Sequence, residues 1–98
     1  MIVIMETFYK PAFRKFVKKQ SRPFQLAIED EVEIVLVNPA VGEEKKGDLS
    51  GFKVHKFVFK KQEYLMAYIV ESENIIFFMA GTHENFYKEL KRYIKEAR

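Results

Sequence analysis

From Tyr9 to Lys19 the apolar residues Tyr9, Phe13, Phe16 and Val17 recur at three- and four-residue spacing, the period of one helix face. Pro11 falls in the first turn, where its missing N–H has no intrahelical partner to lose. A second stripe follows: Phe24, Ala27, Ile28, Val32, Val35 and Leu36 run unbroken until Asn38-Pro39 stops them. Ser21 is its expected N-cap, with Pro23 in the first turn. The run VEIVLV is β-branched enough for a strand, but the helical period passes through it, so helix is expected. The two helices would form an αα-hairpin. Ahead of them, residues 2–8 (IVIMETF) read as a short strand.

Residues 39–51, PAVGEEKKGDLSG, hold three of the four glycines and read as a loop. Strands are expected at 52–60, 63–71 and 74–80, joined by connections short enough for hairpins. After Gly81, Thr82 would cap a last helix with Phe86, Leu90, Tyr93, Ile94 and Ala97 on its apolar face. The expected class is α+β in the order β-α-α-β-β-β-α, an antiparallel sheet packed against an N-terminal helical hairpin and a C-terminal helix.

One strand breaks its own alternation. In FKVHKFVFKK (52–61), Phe52, Val54, Lys56, Val58 and Lys60 share one face and Lys53, His55, Phe57, Phe59 and Lys61 the other. A bulge near His55-Lys56 would turn all three phenylalanines and Val54 to one core. Lys53 and His55 would then converge on an open face, with Lys56 near the kink.

Ninety-eight residues make one domain, 1–98, with a single core and little room for a deep enclosed site. Ten Phe and five Tyr exclude a disordered chain. The absence of cysteine excludes disulfide scaffolds, thiol catalysis and cysteine zinc sites, and two histidines without a carboxylate cluster suggest neither metal nor cofactor. No signal peptide or membrane-length apolar run is read, so a cytoplasmic protein without membrane contact is expected. The formal charge of +3 is a mild bias, but Lys45, Lys46, Lys53, Lys56, Lys60 and Lys61 gather in one segment, favouring a polyanion. The other histidine, His83, lies in GTHENFY at the turn into the last helix, four residues before Tyr87 and on the same helix face.

The wording KGDLSGF (46–52), EYLMAYIV (63–70) and GTHENFY (81–87), with the element order, resembles the RelE/ParE superfamily of type II toxin–antitoxin toxins, RelE-type members above all. That resemblance implies a toxin cleaving mRNA on the ribosome, partnered by a cognate antitoxin. By position it implies a basic pair at Lys53 and His55, a basic residue near His83 and the helix tyrosine at Tyr87. Where the family often carries an arginine after the tyrosine of the third strand, this chain has Leu65, so Lys56 or Arg92 would have to supply the cation. Metal-independent cleavage uses the ribose 2′-OH as nucleophile. His55 and His83 are then expected as general base and acid in either order, with Lys53, Lys56 and Arg92 on the phosphate and Tyr87 orienting it. Two alternatives stay open: a ParE-like inhibitor of DNA gyrase, and an inactive relative retained for antitoxin binding.

Overall fold

A computed structural model describes residues 6–96 of the chain. The first helix, α1 (Pro11–Lys18), starts on its proline and buries Phe13. The second, α2 (Arg22–Val37), is capped as expected: the Ser21 hydroxyl accepts a hydrogen bond from the Phe24 N–H at 3.4 Å. VEIVLV is helical, because Val32 and Val35 continue the buried stripe of Phe24 and Ile28.

Among the described residues five strands form the sheet: β1 (Glu6–Tyr9), β2 (Glu43–Glu44), β3 (Lys53–Phe59), β4 (Gln62–Glu71) and β5 (Asn74–Thr82), in the order β1-β5-β4-β3-β2. The meander β3-β4-β5 is antiparallel. β1 instead runs parallel to β5, so the sheet is mixed; the long excursion through residues 10–73 supplies the crossover a parallel pair needs. Expected strand residues 2–5 and Ala97 of the last helix lie outside the described residues. The polar loop contributes the two-residue strand β2, paired with Val54 and Lys53, between 3₁₀ turns at Pro39–Val41 and Gly47–Leu49. The last helix, α3 (Phe86–Glu96), begins later than expected, because Thr82 remains in β5 and is not its cap.

The sheet is covered on both faces, and this removes the puzzle of β3. The helical hairpin packs on one face, where Phe57, Met66, Tyr68, Ile75 and Phe77 join Phe13, Phe24 and Ile28. On the other face α3 and Leu49 cover Phe52, Val54, Leu65 and Ala67. β3 therefore serves one core with Phe52 and Val54 and the opposite core with Phe57 and Phe59, without changing parity. Its pairing with β4 is continuous from Lys53↔Tyr68 to Phe59↔Gln62, so the bulge expected at His55-Lys56 is absent. The irregularity lies in β5, where the register jumps from Ala67↔Met79 to Tyr68↔Phe77 and leaves Phe78 extra. Phe78 and Met79 both pack towards the α3 side, and Phe78 meets Phe52 edge-on at 4.9 Å.

Candidate functional site at the loop, β3 and α3

The loop after α2 is fastened from beneath. Tyr68, fully buried in β4, donates its hydroxyl to the Pro39 carbonyl at 2.7 Å and accepts from the Gly42 N–H at 2.9 Å. A side chain at residue 42 would place its Cβ 2.5 Å from that oxygen, so the close approach requires glycine. Burial raises the Tyr68 phenol above its ordinary pKa, only partly offset by the bond from Gly42. On the far side of β2, the Lys45 N–H donates to the Phe52 carbonyl at 2.9 Å. The loop backbone is thus held at both ends of Glu43–Lys45.

The alternation of β2 sends Glu43 to the same face as its partner Val54, the face that carries α3. There the Glu43 carboxylate accepts a hydrogen bond from the Lys45 ammonium. The same ammonium lies 4.8 Å from the centroid of the Tyr87 ring, a cation–π distance. Tyr87, in the first turn of α3, packs on the core of that face and meets the His83 ring edge-on at 6.1 Å. Lys56 stands on this face too, exposed beyond the cover of α3. The Lys45 ammonium is held above its usual pKa by Glu43 first and the Tyr87 hydroxyl second. The Glu43 carboxyl is held below its own by Lys45, with a smaller pull from Lys56. A carboxylate, two ammonium groups, a phenol and an imidazole therefore gather on one side of the sheet.

The other expected site residues fall elsewhere. His55 is buried against α2, its Nε2 2.8 Å from Glu31 Oε1 and its ring stacked on Phe57. It occupies the hairpin face, and Tyr87 the opposite one, so the expected convergence of His55 with His83 and Tyr87 does not occur. Lys53 shares the His55 face by alternation and approaches Glu44 at 4.0 Å. Arg92 is exposed and pairs with Glu89 at 3.0 Å; five residues on from Tyr87, it lies across α3 from it. Leu65 is 0% exposed beneath Phe86 and Leu90, which closes the position where the resemblance places a cation. Sequence reasoning counts Lys45 in the basic segment but singles out neither it nor Glu43 as a site residue, because their stretch reads as a polar loop. The available signal was their i, i+2 spacing, which sends two side chains to one side of an extended segment.

A family model described as ParE-like toxin of type II bacterial toxin–antitoxin systems matches residues 7–91. Among solved structures, free Escherichia coli RelE carrying a double arginine mutation aligns with a TM-score of 0.71 at 13% identity, over 94% of this chain and 97% of that one. The toxin in the intact E. coli RelBE toxin–antitoxin complex gives 0.65 at 16% identity, over 82% and 98%. Isolated E. coli RelE gives 0.64 at 15% identity, over 91% and 98%. Such identities speak for the fold alone. No curated protein matches the sequence. With the family model spanning most of the domain, the chain belongs to the ParE-like toxins of type II bacterial toxin–antitoxin systems.

Proposed function

We propose that this toxin is an endoribonuclease that cuts mRNA on the ribosome by attack of the ribose 2′-OH on the adjoining phosphate. The observation that carries the reading is the exposed His83 set beside Tyr87 on a face that also presents Lys56. Of the side chains imidazole is the one best suited to exchange protons near neutral pH. His83 is assigned removal of the 2′-OH proton. As the bond from phosphorus to the 2′-oxygen forms, the bond to the 5′-oxygen breaks, and that oxygen leaves as a hydroxyl after taking a proton from water. Tyr87 orients the nucleotide, by its hydroxyl or by stacking, and Lys56 takes a share of the phosphate charge. His55 drops out of the chemistry, being buried and engaged by Glu31 on the other face. Lys53 and Arg92 contribute to the general attraction for RNA rather than to the reacting phosphate. The partner is a cognate antitoxin, as RelB partners RelE in the E. coli RelBE complex. A groove of about 800 Å³ between α1 and α2, floored by Phe13, Val17, Ile28 and Val32, suits an amphipathic antitoxin helix.

The test is incubation of purified protein with translating ribosomes, followed by mapping of message ends. Cleaved message with 2′,3′-cyclic phosphate ends is expected. Intact message together with a block of gyrase supercoiling would transfer the chain to the second reading, a toxin that binds gyrase and cleaves nothing. The specific observation favouring that second reading is the burial of Leu65 at the position the resemblance gives to arginine.

A further inference from the structure

The geometry points to Lys45 as the cation that grips the scissile phosphate, with Glu43 occupying it as an internal anion until RNA displaces the carboxylate; this rests on the ribonuclease reading above. Lys45 and Lys56 differ in how they are held. The Lys45 side chain is only 18% exposed, its ammonium pinned between Glu43 and the face of Tyr87. Its backbone is tied to Phe52, and the loop before it to Tyr68. Lys56 is exposed and, among the described residues, has no ion pair or ring contact comparable with those of Lys45. A cation already ordered gives up less rotamer freedom on binding an anion than a free surface lysine does. It also stands beside Tyr87, whose ring meets that of His83, the pair assigned the proton transfer and the orientation of the nucleotide.

Glu43 is built to leave. Its side chain is 62% exposed, and Lys45 is the hydrogen-bond partner it has among the described residues. Lys45, with a smaller pull from Lys56, keeps it ionised, so a carboxylate stands where the charge of a phosphodiester would be bound. Swinging into water costs Glu43 little, because a charged hydrogen bond at an exposed site is exchanged for hydration. The entering phosphate then takes the Lys45 ammonium, and no proton changes hands in the exchange. The lysine thereby supplies the cation that Leu65 does not, from the loop instead of from β4.

The test measures binding of a fluorescent single-stranded RNA, 2′-O-methylated throughout so that it cannot be cut, as a function of salt. Lys45→Met keeps the packed stem and removes the charge. It is expected to weaken binding at least tenfold and to reduce the slope of log K against log salt by about 0.7, the value of one phosphate contact on a single strand. Lys45→Arg restores most of the affinity, and Lys46→Met, a neighbouring exposed lysine, moves it less than Lys45→Met does. Glu43→Gln tightens binding at least threefold, and Glu43→Gln with Lys45→Met binds like Lys45→Met alone. Wild-type affinity and slope in Lys45→Met, or weaker binding in Glu43→Gln, overturns the assignment while leaving the ribonuclease reading standing if the wild type cuts ribosome-bound message. A wild type that neither binds the RNA nor cuts message overturns both.

Discussion

Tyr68→Phe removes a single oxygen from a fully buried side chain, and with it both hydrogen bonds that fasten the loop before β2. The Gly42 N–H is buried and loses its acceptor, whereas the Pro39 carbonyl is partly exposed and can turn to water. Counting the first as an unsatisfied buried group, about 1–3 kcal/mol, and the second as one ordinary hydrogen bond, about 0.5–1.5 kcal/mol, gives a loss of roughly 1.5–4.5 kcal/mol. For a domain near this size each kcal/mol moves the midpoint by about 4–8 °C, so Tm falls by at least about 6 °C. The variant still folds, since small domains have roughly 5–15 kcal/mol in hand. Thermal and urea unfolding followed by circular dichroism read the change, and the urea m-value stays as in the wild type because the surface exposed on unfolding is the same. Because the loop carries Glu43 and Lys45, RNA affinity measured well below Tm also falls. A midpoint within about 2 °C of wild type would refute the reasoning, since a loss that small is less than one ordinary hydrogen bond.

Other consequences are equally direct. Burial raises the Tyr68 and Tyr9 phenols, so each is protonated in the folded chain at a pH where the unfolded chain, near its ordinary 10.0, has begun to ionise. The unfolded state then binds fewer protons, so their contribution is fully present below pH 10 and is lost as pH rises through the folded values; urea midpoints fall across that alkaline range, less steeply in Tyr68→Phe. Leu65→Arg does not restore a family cation but buries one against Phe86 and Leu90, costing at least about 3 kcal/mol on the scale of an uncompensated buried charge, visible as a large loss of Tm. Lys60 and Lys61 close the β3–β4 hairpin with φ of 48° and 69°, a turn that favours Asn-Gly; replacing the pair by Asn-Gly raises stability by about 1 kcal/mol or more in urea unfolding.

Much of the fold was legible because it rests on local periodicity. The stripes of α1 and α2, the Ser21 cap and the meander could be read from spacing alone, since each is decided by neighbours within a few residues. The bulge failed for a physical reason. A bulge is needed only if β3 serves one core, whereas the chain from Phe52 through β3 serves the α3 core with Phe52 and Val54 and the hairpin core with Phe57 and Phe59. Once both faces are covered, the mixed pattern needs no change of parity. His55 was misjudged because its partner, Glu31, lies twenty-four positions away on another element, and no local pattern announces such a pair. Glu43 and Lys45 were hidden for the same cause: what gives them meaning is Tyr87, brought over them by α3. His83 and Tyr87 do meet, but not as a helical pair: His83 precedes α3, and the turn through Asn85, at a φ of 64°, brings its ring against Tyr87.

If the chemistry lies on the α3 face and not on the hairpin face, the two histidines, one on each, separate the faces directly. Single-turnover cleavage of ribosome-bound mRNA, compared between His83→Ala and His55→Gln at matched folded fraction, measures the difference. A loss of at least about 100-fold is expected in His83→Ala, the scale of a missing general acid or base, and cleavage near the wild-type rate in His55→Gln. Wild-type cleavage in His83→Ala, or loss of cleavage in a fully folded His55→Gln, would contradict a site on the α3 face.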